Sequence, residues 1–131
     1  MIRIAICDDE KYMSDHIRSF VSDFFRKKNR EISLHMFSGG EELLSYNGQI
    51  DILFLDIQMK DMDGMKTARK LRADQFRGFL VFITVLKEMV FQSFEVQAYD
   101  YLVKPAQIEN ELSKKDNDTY RRQNASFDNS D

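Results

Sequence analysis

Apolar and polar positions follow one another along this chain in two rhythms. Mostly apolar runs fall at Arg3 to Cys7, Ile32 to Phe37, Ile52 to Leu55, Phe79 to Ile83 and Ala98 to Val103. The sharpest, Ile52-Leu53-Phe54-Leu55, is bounded by Asp51 and Asp56. A run of that length without alternation predicts a strand buried on both faces, the habit of a parallel sheet rather than of an antiparallel sheet with one wet face. Between the runs the apolar spacing changes to three and four residues. The clearest helix is predicted from Lys11 to Lys28, where Met13, Ile17, Phe20, Val21, Phe24 and Phe25 share one stripe with charges opposite. Shorter helices are predicted at Glu41 to Tyr46, Met65 to Ala73, Met89 to Phe94 and Ile108 to Lys115. Five strands alternating with helices imply right-handed crossovers and an α/β fold, a doubly wound parallel sheet with helices on both faces.

The alternation stops near residue 113, so residues 1–113 are expected to form one domain. The tail at 114–131, KKDNDTYRRQNASFDNSD, has almost no aliphatic residues and is expected to be frayed or disordered. Its Lys114, Lys115, Arg121 and Arg122 are interleaved with acids, which favours a solvated tail over a surface for an acidic partner. Composition adds little beyond a globular class: 43% hydrophobic and 31% charged residues. The formal net charge of −3 leaves no electrostatic footprint for direct nucleic-acid binding. Cys7 stands alone in an apolar run, so it predicts a buried, inert thiol in a reducing compartment, with the cytoplasm expected. No apolar stretch approaches the eighteen or so residues of a membrane span, and Met1-Ile2-Arg3 opens into a strand pattern rather than a signal peptide, so no membrane partner is expected.

The chemistry is concentrated where the apolar runs end. Asp8 and Asp9 follow the first, Asp56 the third, Thr84 the fourth, and Lys104 with Pro105 the fifth. In an open parallel sheet, ligands bind outside the carboxyl ends of the strands. Two carboxylates about 4 Å apart repel by about 4 kcal/mol at an effective dielectric of about 20, so Asp8, Asp9 and Asp56 call for a cation between them. All-oxygen ligands point to magnesium, with manganese as the alternative. An aspartate beside such an ion can act as a nucleophile toward phosphorus, with Thr84 and Lys104 holding the oxygens of the acquired group. Competing readings are plain. Asp8 and Asp9 could cap the first helix, Thr84 could be an ordinary strand threonine, and Met59, Met62 and Met65 read as packing residues. His16 and His35 have no cysteine or second histidine nearby in sequence and are not read as metal ligands.

These stretches resemble the receiver domain of two-component response regulators over residues 2 to 112. "ICDDE" is similar to the acidic-pair motif, "LFLDIQM" to the phosphoacceptor strand end, "DMDG" to the loop that follows, "FIT" to the hydroxyl strand end and "YDYLVKP" to the lysine-proline motif. "FEVQAYDYLVKP" is most similar to regulators carrying a LytTR-type DNA-binding domain. The resemblance implies a flavodoxin-like strand order 2-1-3-4-5. It implies that Asp56 accepts a phosphoryl group from a sensor histidine kinase, with no enzyme activity beyond autophosphorylation and autodephosphorylation. Asp9 would bind Mg2+ directly, Asp8 mainly through water, and Gln58 through its backbone carbonyl. Thr84 and Tyr101 would be a switch pair, with a core-edge tyrosine as the alternative for Tyr101. Lys104 would contact the phosphate, Lys104-Pro105 would be a cis peptide, and Gly64 would allow the turn into the third helix. The implied partners are the kinase, a downstream effector, with transcription as the output, and a second copy of the chain on phosphorylation.

Three positions depart from the family pattern. Val85 after Thr84 would narrow access to the site, Lys60 stands where proline is frequent and is read as altering only loop stiffness, and the stripe of the last helix, Ile108 and Leu112, is short for a dimer face. No effector domain is read in this sequence. Two other enzyme or cofactor classes fit less well. A haloacid-dehalogenase-type phosphohydrolase needs a second acid two residues after the nucleophile, where Gln58 stands, and a flavin-phosphate cradle would not open with Asp8-Asp9-Glu10. A receiver-like module working by protein contact alone is the remaining alternative, with Val85 as its support.

Overall fold

The computed structural model describes residues 1–84 and 90–103. The expectations for Val85, Met89, Lys104, Pro105, the helix at 108–115 and the tail at 114–131 lie outside these residues. Strands β1 (Ile2–Cys7), β2 (Ile32–Phe37), β3 (Ile52–Leu55), β4 (Phe79–Thr84) and β5 (Asp100–Val103) alternate with helices α1 (Lys11–Lys27), α2 (Gly40–Leu44), α3 (Gly64–Ala73) and α4 (Val90–Ser93). The sheet is five-stranded, in the order β2-β1-β3-β4-β5, and every pair is parallel.

Strand alternation divides the apolar residues between two cores. Ile2, Ile4, Ile6, Ile52, Phe54, Val81, Ile83 and Leu102 point to the α1 face, where Met13, Ile17, Val21 and Phe25 cover them. Ala5, Cys7, Leu53, Leu55, Leu80 and Phe82 point the other way, against Leu43 of α2, Met65 and Ala68 of α3, and Val96. Both faces of β3 are therefore dry, as its unbroken run requires. Each fully buried aliphatic or aromatic side chain contributes about 1.5–3 kcal/mol.

Boundaries shift by a few residues, each for a local reason. α1 stops at Lys27 because Lys28 already bonds back to Phe25 and Asn29 takes a positive φ of 55°. α4 continues as a 3-10 turn, Phe94–Val96, that ends at Gln97 in the left-handed region. The Ala98 amide still bonds back to Ser93, so β5 pairing starts at Asp100 instead of Ala98. α2 begins at Gly40 rather than Glu41, because a carboxylate from the loop after β3 caps it.

Candidate metal and phosphoacceptor site

The site is built by strand register. Cys7 of β1 lies opposite Leu55 of β3, so the next residues, Asp8 and Asp56, leave the sheet side by side. The ladder runs on past the strands: the Asp56 amide donates to Cys7 O at 3.0 Å and the Asp8 amide to Phe37 O at 3.1 Å. Asp8 and Asp56 are buried, 3% and 4% exposed, whereas Asp9 lies nearer the surface. One oxygen from each of Asp8, Asp9 and Asp56 lies within 4.8 Å of the others, a spacing that suits a single cation with oxygen ligands.

Main-chain donors orient each carboxylate. Asp8 Oδ1 accepts from the Glu10 amide at 2.9 Å, Asp56 Oδ1 from the Gln58 amide at 3.3 Å, and Asp9 Oδ2 from the Lys60 amide at 2.8 Å. The helix-cap reading of Asp8 and Asp9 fails here. The α1 N-cap is Glu10, which makes no side-chain cap bond, and both acids turn toward the carboxyl rim of the sheet. The reading of Lys60 as a matter of loop stiffness alone is also corrected, since its N–H, which proline would lack, ties the loop to Asp9.

Thr84, the last residue of β4, is fully buried. It pairs in register with Val103, and Phe82 pairs with Tyr101. Thr84 and Tyr101 are thus diagonal neighbours on adjacent strands, on the face that carries Phe82. The half-buried Tyr101 ring lies 5.9 Å from that of Phe82.

Gly64 serves a different purpose from the one expected. No glycine here has a positive φ, and Gly64 is the first residue of α3. A Cβ at this position would lie 2.0 Å from the Asp56 carbonyl oxygen and 2.7 Å from Ile57 Cα. Gly64 is needed for close approach, and its amide donates to Ile57 O at 2.7 Å, docking the start of α3 on the residue after Asp56.

Two neighbouring acids escaped the sequence reading. Asp63 caps α3, accepting from the amides of Met65 at 2.7 Å and Lys66 at 3.2 Å, a signal legible in an aspartate just ahead of a helix. Asp61 reaches back to α2 and accepts from Glu41 at 3.0 Å and Gly40 at 3.2 Å, a link no local pattern reveals. The Glu41 amide, joined by those of Gly40 and Met62, holds the Asp61 carboxyl below the usual range. Beneath the loop, Cys7 Sγ lies 3.7 Å from Met59 Sδ, and burial, with the charge of Asp61, drives the thiol pKa up. A cavity of about 680 Å³ opens at the opposite rim, between Tyr46, Ile50, Leu71 and Phe76, away from this chemistry.

Residues 4–115 match the response regulator receiver domain. The chain is 36% identical over 73 residues to the transcriptional regulatory protein YpdB of Escherichia coli, covering 54% of this chain and 30% of YpdB. It is 31% identical over 118 residues to the transcriptional regulatory protein BtsR of the same organism, covering 87% of this chain and 48% of BtsR. The chain thus spans about half or less of the curated relatives it matches. The BeF3-activated receiver domain of DrrB, from Thermotoga maritima, superposes with a TM-score of 0.69 at 26% identity, covering 89% of this chain and 96% of that one.

Proposed function

Because this chain belongs to the response regulator receiver domain family, we propose that Asp56 accepts a phosphoryl group in a magnesium-dependent reaction and that Thr84 and Tyr101 read the result. The observation that carries the proposal is the convergence of Asp8, Asp9 and Asp56 within 4.8 Å at the carboxyl rim. Three oxygen donors fit Mg2+ or Mn2+, with the Gln58 carbonyl and waters completing the shell. A bound dication supplies the positive charge that the crowded carboxylates and incoming phosphoryl oxygens need.

The residues divide the work. The Gln58 amide holds Asp56 Oδ1 and orients the carboxylate that would attack phosphorus. With a phosphohistidine donor the P–N bond breaks, the imidazole leaves with a proton from solvent, and an aspartyl phosphate remains. The product carries about −1.5 to −2 charges, comparable to other phosphorylated side chains. Thr84 and Lys104 would donate to its oxygens, and Lys104-Pro105 as a cis peptide would set the lysine. Movement of Thr84 toward the phosphoryl group would open space for Tyr101, its diagonal neighbour, to turn inward. The reshaped face would run from α4 across β5 to the following helix. Inverting a 1:99 population takes about 5.5 kcal/mol, within reach of several charge-assisted hydrogen bonds.

The partners proposed are a sensor histidine kinase, a downstream effector, with transcription as the output by analogy with YpdB and BtsR, and a second copy of the phosphorylated chain. The receiver unit would occupy 1–113, with 114–131 as a polar appendage, and the site of action would be the cytoplasm. Among the described residues no helix is long and apolar enough to cross a membrane. The test is phosphoryl uptake from a small acyl phosphate with Mg2+. Asp56→Ala should abolish it, and full labelling of that variant would reject the assignment. In the parent, BeF3 with Mg2+ should shift the amides of Thr84 and Tyr101.

A further inference from the structure

The loop from Ile57 to Asp63 touches the site on one side and a distant helix on the other. Its Gln58 amide holds Asp56 Oδ1 at 3.3 Å, and the Gly64 amide closes the loop onto Ile57 O at 2.7 Å. Asp61, inside the loop, turns toward α2. Its two carboxylate oxygens accept from the Gly40 amide at 3.2 Å and the Glu41 amide at 3.0 Å, the first two residues of that helix. Oδ1 also takes the Met62 amide at 2.7 Å, so the carboxylate is fixed to its own loop as well as to the helix. The fit is close. A Cβ on Gly39 would lie 2.7–2.8 Å from the Asp61 carboxylate, and one on Gly40 would lie 3.2 Å from Met62 Cβ, so two successive glycines admit the loop to the start of α2. Gly39 is extended, with φ −172°, and is needed for that space alone.

We propose that Asp61 couples α2 to the phosphoacceptor loop: when a dication and a phosphoryl group settle on the carboxylates, the loop shifts and α2 shifts with it. A helix of five residues does not hold itself in place, so its position follows its anchors. Those anchors are Leu43, its one buried side chain, and the Asp61 carboxylate. Hydrogen bonds to an ionised carboxylate are stronger than neutral ones, and chains of such bonds carry coupling between separated segments. α2 packs toward the β2 edge of the sheet, at the far side from β5. The inference rests on reading Asp56 as the phosphoacceptor and adds a second responding region to the one proposed around β5.

The test follows amide resonances of the full chain as BeF3 is added with Mg2+. In the parent, Gly40 and Glu41 should shift together with Thr84 and Tyr101. In Asp61→Ala, which removes both bonds to α2, Thr84 and Tyr101 should still shift while the response of Gly40 and Glu41 is lost. Silence at Gly40 and Glu41 in a parent whose Thr84 and Tyr101 respond overturns this inference alone, as does a response at Gly40 and Glu41 that survives Asp61→Ala. A parent that responds nowhere overturns the phosphoacceptor reading with it. Should Asp61→Ala fail to fold, Gly39→Ala takes its place, because the added Cβ meets only the end of the Asp61 side chain and displaces the same carboxylate; the same loss is expected and the same persistence overturns the coupling.

Discussion

At the amino rim of the sheet Asp51 meets an arginine; at the carboxyl rim Asp8, Asp9 and Asp56 meet one another. Arg3 Nε and Nη2 hold the two oxygens of Asp51 at 2.9 and 3.1 Å, and the Arg3 amide adds a third bond at 2.7 Å. Nearby, the partly buried Arg72 guanidinium donates to the carbonyls of Val96, Phe76, Gly78 and Gln97 at 2.8–3.1 Å, clasping the loops that enter β4 and β5. At this end Asp51 is paired with a cation and Arg72 is spread over main-chain carbonyls. At the other end like charges are held close by amides of the chain. The same register that makes β1 and β3 neighbours delivers an ion pair at one end and a carboxylate cluster at the other. The contrast teaches that a stabilising rim and a reactive rim can share one sheet, because strand direction sorts them.

Four measurements, the first paired with a control at the amino rim, break or sharpen that contrast, from the largest expected effect down. Gly64→Ala should destabilise the domain by at least about 3 kcal/mol in urea unfolding, since its Cβ meets Asp56 and Ile57 backbone that cannot yield. Gly48→Ala at the amino rim, where the Cβ meets only the end of the Tyr46 side chain, should cost less than about 1 kcal/mol. Magnesium at about 100 times its dissociation constant should stabilise the parent by about 2.7 kcal/mol, and Asp9→Asn should remove most of that gain. An unchanged unfolding midpoint with and without the ion would erase the functional half of the comparison.

Arg72→Met should cost about 1–2 kcal/mol by leaving part-buried carbonyls without donors, with no change in Mg2+ affinity, as read by unfolding and calorimetry. The smallest effect belongs to Asp51→Asn, and its sign depends on pH. Burial pulls the Asp51 carboxyl up, but the hydrogen bonds and charge of Arg3 outweigh this and leave it below its ordinary value. Its contribution is therefore present above the ordinary carboxylate range near pH 4 and lost as pH falls through the lowered folded value. The stability gap between parent and variant should be constant near neutrality and close at acid pH; a gap that widened on acidification would contradict the Arg3 pairing.

Much of this fold is legible before any coordinates. The run Ile52 to Leu55 demands two dry faces, the α1 stripe supplies cover for one of them, and the acids that follow the runs must emerge at the same rim as soon as the strands are parallel. Residue chemistry and periodicity suffice for those steps, because both are local. The tertiary structure decided what depends on distance between segments. Gly64 matters for a collision with Asp56 rather than for a turn, Asp61 caps a helix 20 residues earlier, and Lys60 steadies an acid 51 residues away through an N–H that every residue but proline possesses. Backbone donors and close approaches leave no mark in side-chain identity, so only the folded register of β1 against β3 could reveal them.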